Sequence, residues 1–361
     1  MWLRVIENKG NPLYWSGLFV LWVASLLYRV GLWLRLLFIR GGVKIHAPVV
    51  SVGNLTVGGS GKTPTAIYLS HHFLSKGKKT CIVSSGYGRK NSVDSLEKGA
   101  DFFPHAIDNV GDEVMMMAEC LPDACFAVSE SKGRAALLAD EKYTPDMVIV
   151  DDGYQHLKLH RDFNILLIDA GIDLRKESLF PLGRRREPLA ALRRADAVII
   201  TKSNMVEMES SFRRWIGDRF REKIVAEVEF INEMVISSSE RLQINSIADR
   251  SIYFYAGIGD FNSLVSRLKK RFRHLVGHRR FPDHCPYRAS EATRINADIE
   301  KLRPDYILTT HKDYVKTRNF DFGQPIYYLD LQLRFVSGEK ELLGAIENIA
   351  SKKKWRGSTI S

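Results

Sequence analysis

Residues 48 to 65 read PVVSVGNLTVGGSGKTPT, and this stretch decides the fold. The apolar run from Val49 to Val52 is typical of a buried strand, and residues 63 to 75 have the pattern of a helix, so the glycine-rich segment lies at a strand-to-helix turn. Glycines let backbone N–H groups converge on phosphate oxygens, and the start of the helix adds a positive dipole. The sequence therefore predicts a P-loop, the phosphate-binding turn of many nucleotide-binding proteins.

The residues of this turn predict binding of ATP and Mg²⁺. Lys62 is expected to reach the β- and γ-phosphates and so to take part in catalysis, and the Thr63 hydroxyl is expected to hold Mg²⁺. The strict P-loop pattern requires glycine at position 56, where this chain has Thr56, but Gly58 and Gly59 keep the turn flexible. The expected nucleotide-binding residues of this stretch are Thr56, Val57, Gly58, Gly59, Ser60, Gly61, Lys62 and Thr63.

An acidic motif follows another predicted strand, residues 147 to 150. Asp151 and Asp152 stand directly after that strand, at the start of the sequence DDGYQH. In P-loop enzymes, an aspartate at the end of a hydrophobic strand orders Mg²⁺ and its water. We expect both aspartates to take part in catalysis and Asp151 to be a magnesium ligand. The alternative is that the two aspartates only open a surface turn.

Short apolar, β-branched runs alternate with helical patterns along the chain, which predicts a mostly parallel sheet covered by helices. The expected fold class is α/β, with a P-loop NTPase-like sheet, flanking helices, an N-terminal membrane-associated helix and a smaller C-terminal α/β domain. The expected domains are a membrane-association segment at 1–47, a P-loop domain at 48–235 and a C-terminal α/β domain at 236–361 that contributes to the active-site cleft. The predicted strands of the kinase domain include 49–52, 80–84, 125–128, 147–150, 165–168 and 197–200.

The N-terminal segment predicts contact with a membrane. No charged residue lies between Lys9 and Arg29, and this stretch is the most apolar of the chain. Asn11 and Pro12 weaken its start, so its length is borderline for a spanning helix. Residues 1 to 48 contain six basic residues and one acidic residue, a net charge of +5 that anionic lipid would attract. A buried core helix and a cleaved signal peptide are the alternatives.

The whole chain is basic, with a formal net charge of +11. That charge predicts an anionic partner, which could be nucleic acid, an anionic bilayer or a phosphorylated substrate. We expect no nucleic-acid partner, because the sequence contains no recognition module. The four cysteines lack the spacing of a zinc site or a disulfide framework, so a reducing, cytosol-facing location is expected.

Two segments, NLTVGGSGKTP at 54–64 and DDGYQH at 151–156, together resemble the tetraacyldisaccharide 4'-kinase family. Further matching segments extend over nearly the whole chain, among them GDE at 111–113, RREP at 185–188 and FPDH at 281–284. The resemblance implies transfer of the ATP γ-phosphate to the 4'-hydroxyl of a tetraacylated glucosamine disaccharide 1-phosphate, forming lipid IVA in lipid A biosynthesis. It also implies work at the cytoplasmic face of the bacterial inner membrane, with that lipid surface as a partner.

The resemblance further implies a catalytic pair. Asp112 is expected to be the base and His284 its partner, because an Asp–His pair orients the carboxylate and can share the proton. Without the family likeness, Asp112 would be a helix N-cap ahead of residues 113–120, and His284 an ordinary loop histidine. A metal site at Asp283, His284 and Cys285 is not expected, because adjacent side chains rarely converge on one ion.

Other residues complete the site that the resemblance implies. Their expected partners are phosphate for Arg134 and Arg186, the nucleotide and Mg²⁺ surroundings for Gln155 and His156, Mg²⁺ for Glu187, and the sugar for Tyr87. This chain departs from the family at Ser85, where an arginine is usual.

A membrane-targeted nucleotide switch is the main alternative function, because a P-loop, an amphipathic segment and basic charge would serve it equally. In such a protein the pair of Asp112 and His284 would have no required task. A GTPase is a second alternative, because Thr201-Lys202-Ser203-Asn204 resembles a guanine-reading motif. Asn204 lacks the carboxylate that accepts the N–H groups of guanine, so ATP is the expected nucleotide.

Overall fold

A computed structural model of the chain describes residues 13–39, 41–86, 88–91, 93–102 and 107–357. Tyr87, expected at the sugar, lies outside the described residues. The chain divides into two compact units that alternate along the sequence: unit 1 holds residues up to Ala66, Lys132–Glu229 and residues from Phe335, and unit 2 holds Ile67–Ser131 and Phe230–Arg334. The predicted boundary at residue 235 lies close to one break between the units, and the predicted three-part division stays a prediction.

The described elements follow each other in mixed order. The strands are β1 (Val49–Asn54), β2 (Thr80–Ser84), β3 (Ser95–Lys98), β4 (Cys125–Val128), β5 (Met147–Val150), β6 (Phe163–Asp169), β7 (Ala197–Thr201), β8 (Ile224–Ile236), β9 (Arg241–Gln243), β10 (Ser251–Ala256), β11 (His274–Arg280), β12 (Tyr306–Thr310) and β13 (Ile326–Ser337). The α-helices are α1 (Leu13–Phe38), α2 (Lys62–Ser75), α3 (Ile107–Val110), α4 (Asp112–Cys120), α5 (Lys132–Lys142), α6 (Ser210–Arg219), α7 (Phe261–Arg271), α8 (Ala289–Leu302), α9 (His311–Thr317) and α10 (Glu339–Gly357).

Unit 1 is built on parallel strands in the spatial order β5-β1-β6-β7-β8. Strands β1, β5 and β7 are buried along their whole length, as expected for a parallel sheet with both faces covered. Ser51 pairs with Val150, so the carboxyl ends of β1 and β5 lie side by side. The P-loop and the acidic motif follow these two ends, and the sheet therefore brings them together.

Unit 2 contains two groups of strands. Strand β4 pairs in parallel with β2 and antiparallel with β3, while β10 pairs in parallel with both β11 and β12, and β12 with β13. Val114 and Met117 of α4 pack into a buried cluster with Ile82 and Phe126. Helix α4 also contacts α9, which begins directly where β12 ends. The first residue of α4, Asp112, therefore has a fixed position beside α9.

The apolar N-terminal segment forms helix α1, and the predicted helix is confirmed. By length and composition, its stretch Gly17–Phe38 is able to cross a membrane. Large side chains along it are exposed, including Phe19 at 64%, Leu27 at 68% and Phe38 at 79%. The side chains of this helix are thus exposed, whereas those of a core helix would be buried.

Candidate active site

The P-loop of unit 1 joins the end of β1 to the start of α2. Gly58 and Gly61 adopt φ angles of +118° and +86°, which side chains rarely allow. A Cβ atom built at Gly58 or Gly59 would meet nothing within 4 Å, so the turn leaves open space beside its backbone. Thr63, the expected magnesium ligand, lies in the first turn of α2. The predicted residues thus form a glycine turn that opens onto a helix N-terminus.

Lys62 is held at the base of this turn. Its Nζ atom lies 3.5 Å from Asn54 Oδ1 and 3.7 Å from Asp152 Oδ1. Asn54 is fully buried and donates through Nδ2 to the carbonyl of Thr56 at 2.8 Å. The amide at the end of β1 therefore fixes both the start of the P-loop and the direction of the lysine.

A second segment runs alongside the P-loop and carries Arg186. The N–H of Val57 donates to the carbonyl of Arg184 at 2.8 Å, and the N–H of Arg186 donates to the carbonyl of Leu55 at 2.6 Å. The Arg186 guanidinium lies 3.0 Å from Asp152 Oδ2. Because backbone bonds on both sides fix the segment, Arg186 is directed at the acidic turn.

The acidic turn after β5 is held in an unusual backbone conformation. Asp152 adopts φ +47°, a strained value for a residue other than glycine, and such strain clusters at functional sites. Burial would raise the pKa of Asp152, but the charges of Lys62, Arg186 and Lys132 lower it below its usual range. Asp152 is therefore an ionised carboxylate beside the P-loop lysine, while its neighbour Asp151 is 4% exposed.

Lys132 was not predicted as a site residue from the sequence. It binds the backbone of this turn. Lys132 is 3% exposed, and its ammonium donates to the carbonyls of Asp151 at 2.5 Å and Asp152 at 2.6 Å. Burial lowers the pKa of Lys132, and the charge of Asp152 opposes that shift. The only signal in the sequence is the position of Lys132 two residues before Arg134, which is exposed on the first turn of α5.

Glu187, expected near Mg²⁺, is engaged with another partner. Both of its carboxylate oxygens accept hydrogen bonds from Arg194 at 2.8 Å, and Glu187 is 7% exposed. The Arg194 guanidinium also lies over the ring of Tyr154, 4.8 Å from its centroid. The geometry thus shows Glu187 in a buried ion pair, and its role as a magnesium ligand stays a prediction.

Two orphaned polar atoms in unit 1 fit a bound nucleotide: one is a hydroxyl that can donate to phosphate, and the other is an amide oxygen that can accept from a nucleotide hydroxyl or from a magnesium-bound water. Among the described residues, the Ser60 hydroxyl in the P-loop and Oε1 of Gln155 are buried without a hydrogen-bond partner. Gln155 is itself fixed, because its Nε2 donates to the carbonyl of Asn54 at 2.6 Å. Burial beside Lys132 lowers the pKa of His156 to about 4, so this ring is neutral at pH 7. Hydrogen-bonding groups and cationic side chains therefore converge on the open side of the turn.

Among the described residues, few side chains are placed to hold Mg²⁺. Across the described part of the chain, no three His, Cys, Asp or Glu side chains lie close enough to hold a metal ion. Mg²⁺ in nucleotide sites, however, takes most of its ligands from phosphates and water and only one or two from the protein. The residue types at Thr63 and Asp151 fit that limited requirement.

The expected pair of Asp112 and His284 is brought together within unit 2. Nδ1 of His284 lies 3.4 Å from Asp112 Oδ2, and His284 adopts φ +58°, another strained value. Lys312 Nζ lies 3.0 Å from the other ring nitrogen, Nε2. Because an ammonium can only donate, Nε2 must accept, and the ring proton stays on Nδ1, facing Asp112. The histidine is therefore arranged to donate to the carboxylate.

Asp112 is not the helix N-cap that one alternative expected. The cap is Gly111, at φ +89°, and Asp112 is the first residue of α4, accepting the N–H of Glu113 at 2.9 Å. Burial alone would raise the pKa of Asp112, but the hydrogen bond from His284 and the charges of Lys312 and Lys316 lower it to about 2. Asp112 is thus ionised throughout the physiological pH range.

A parallel sheet whose first strand runs through a glycine turn into a helix, with paired aspartates at the end of the adjacent strand, defines a P-loop nucleotide-binding enzyme. Residues 18–350 match the family described as Tetraacyldisaccharide-1-P 4'-kinase, and the chain belongs to that family.

Individual relatives agree with the family match. A tetraacyldisaccharide 4'-kinase of Geobacter metallireducens is 34% identical over 300 residues, covering 81% of this chain and 87% of that protein. The Aquifex aeolicus tetraacyldisaccharide 4'-kinase is also 34% identical over 300 residues, covering 82% and 87%. A crystal structure titled as LpxK from Aquifex aeolicus in complex with ATP is 31% identical, covers 90% of this chain and 96% of its own, and has a TM-score of 0.73. The predicted family, fold class, ATP cofactor and kinase class are confirmed.

Proposed function

We propose that this chain transfers the γ-phosphoryl group of Mg-ATP to the 4'-hydroxyl of tetraacyldisaccharide 1-phosphate. The products are ADP and the 4'-phosphorylated lipid, lipid IVA. The observation that carries this proposal is the family match over residues 18–350, which includes the P-loop and the acidic turn described above. The curated relatives at 34% identity are named for this activity.

Unit 1 supplies the residues that hold the phosphates. The backbone of residues 58–61 and the Ser60 hydroxyl bind phosphate oxygens, and Lys62 compensates their charge. Thr63 and Asp151 are the candidates to hold Mg²⁺, which when bound neutralises charge on the phosphates. Arg186 and Lys132 keep Asp152 ionised and fix its position.

The proposed base is Asp112. Asp112 accepts the proton of the 4'-hydroxyl as that oxygen bonds to the γ-phosphorus, and the bond from this phosphorus to the ADP oxygen breaks. A carboxylate with a pKa of about 2 is a weak base. In the loose transition state of phosphoryl transfer the acceptor proton leaves late, so a weak but fully ionised base is sufficient. The Nδ1–H of His284 orients the carboxylate.

Helix α1 suits a kinase whose substrate is a lipid. Its exposed apolar side chains and the net charge of +5 over residues 1–48 suit an anionic bilayer surface. Acyl chains of the substrate remain in the bilayer, so the kinase must work at its surface. We place that surface on the cytoplasmic side of the inner membrane, because ATP is available there.

The test is transfer of labelled γ-phosphate from Mg-ATP to tetraacyldisaccharide 1-phosphate in mixed micelles. Wild type is compared with Asp112→Ala and Lys62→Ala, and with Asp123→Ala as a control at an exposed aspartate of unit 2. Transfer that the first two substitutions abolish and the control retains supports the proposal. Absence of transfer by folded, ATP-binding protein would refute it and favour a membrane-targeted nucleotide switch.

A further inference from the structure

Lys316 of α9 is buried beside Asp112, where its charge is one of those that lower the pKa of that carboxyl. Its side chain is 7% exposed, and its Nζ atom lies 3.3 Å from Asp112 Oδ2 and 3.2 Å from Asp313 Oδ1. The ammonium also lies over the ring of Tyr287, 5.2 Å from its centroid. Two carboxylates and an aromatic face therefore surround a single desolvated cation.

Asp313 fixes this cation in place. It is fully buried, and its Oδ2 accepts hydrogen bonds from the Gly257 N–H at 3.0 Å and the Thr310 hydroxyl at 2.7 Å. A carboxylate bound in this way cannot turn, so Lys316 remains directed at Asp112. The position of Lys316 is thus fixed by the backbone directly after β10 and by the N-cap residue of α9.

The other charged groups near Asp112 are arranged differently. Lys312 Nζ lies 4.0 Å from Asp112, 3.8 Å from Glu113 and 3.6 Å from Asp283, in addition to its contact with His284. Its charge is thus shared among several partners, and its side chain is 16% exposed. Lys316 is closer to Asp112 and more deeply buried.

We propose that Lys316 is a positioning residue, whose buried charge keeps Asp112 ionised and correctly directed in the phosphoryl-transfer reaction. This inference rests on the proposed function, in which Asp112 is the base. With an effective dielectric constant of about 20, a unit charge at 3.3 Å lowers the pKa of Asp112 by about three to four pH units. Removal of the charge would therefore bring protonation of Asp112 into the range of ordinary assays.

The experiment measures kcat/KM for the lipid acceptor between pH 5 and pH 8, at saturating Mg-ATP, for Lys316→Met and wild type. The ratio of variant to wild type removes pH effects that both share, including those of ATP. We expect this ratio to fall by about two- to elevenfold from pH 8 to pH 5, because the shifted Asp112 becomes protonated. Lys316→Arg, which keeps the charge, is expected to give a flat ratio, as is Lys270→Met, a control at an exposed lysine.

Folding is monitored by thermal unfolding and by ATP binding, which depends on the P-loop of unit 1. If Lys316→Met does not fold, the double variant K316M/D313N removes the buried carboxylate that would lose its counter-charge, and it takes the place of the single variant. A ratio that stays flat in the folded neutral variant would overturn the role of Lys316, and so would an equal pH dependence in Lys316→Arg. An inactive wild type would instead overturn the proposed function.

Discussion

The substitution Gly153→Ala is expected to displace the acidic turn, although it adds only one methyl group. A Cβ atom at position 153 would lie 2.6 Å from Ser51 Oγ and 2.8 Å from Val150 Cγ1. The serine hydroxyl can rotate, but Val150 is a fully buried β-branched residue whose own Cβ would be 3.0 Å away. The turn must therefore move by about half an ångström to reach ordinary contact distances.

Overpacking of this kind costs about 1–3 kcal/mol, which corresponds to a fall in Tm of about 2–10 °C. Thermal unfolding should show this fall, and titration with ATP should show weaker binding, because Asp152 and Gln155 belong to the same turn. The matched control is Gly217→Ala within α6, where nothing lies within 4 Å of the new Cβ. This control should gain about 0.5–1 kcal/mol. A Gly153→Ala protein with wild-type Tm and ATP affinity would refute the packing argument.

Three further predictions concern unit 1. Lys62→Ala should lower phosphate transfer in the micelle assay by about a thousandfold or more while thermal unfolding still shows a folded protein, since its charge acts on the transferring group. The folded pKa of Asp152 lies below its usual 3.8, so the ionised form adds stability that is present above that pH and lost as the pH falls through the folded pKa. In Arg186→Ala this contribution shrinks. Urea unfolding should therefore show a free energy of unfolding below that of wild type, and the difference should be smaller at pH 3 than at pH 6. Tyr28→Phe removes a 2.9 Å hydrogen bond from α1 to the Arg186 carbonyl; it should cost about 0.5–1.5 kcal/mol and leave liposome binding unchanged, whereas equal stability would show that the bond contributes nothing.

The buried parallel strands could be predicted from the sequence. The predicted ranges 80–84, 125–128 and 147–150 coincide with β2, β4 and β5. These strands are covered on both faces, so their sequences are short, continuous apolar runs bounded by polar turns. A local pattern of that kind does not depend on what the strand pairs with.

Elements with mixed or short patterns were missed. Strand β11 reads HLVGHRR and alternates between exposed and half-buried positions, with the apolar Val276 on the exposed face and the charged Arg279 on the half-buried one. Helix α9 has only seven residues, and its sequence HKDYVKT is mostly polar although four of its residues are buried. Its stability comes from packing against other parts of unit 2, which the sequence does not display.

The difference between local patterns and long-range contacts also separates the site residues that were predicted from those that were missed. The P-loop and the aspartates belong to motifs in which neighbouring residues share one task. Lys132 acts on backbone carbonyls, which any residue supplies, so no partner residue marks it. Lys316 acts on a carboxylate 204 positions earlier in the chain. Such contacts exist only once the chain has folded.

The alternation of the two units along the chain has a consequence for synthesis on the ribosome. Helix α1 emerges before every other described element, so it can reach a membrane while the rest is still being made. Unit 1 cannot be completed until residues 335–357 follow, because Lys353 of α10 donates to Asp162 and to the Ala47 carbonyl at 2.7 and 2.8 Å. All of unit 2 is translated before that point. Unit 1 therefore reaches its full set of contacts only after the segment that carries the proposed base has been translated.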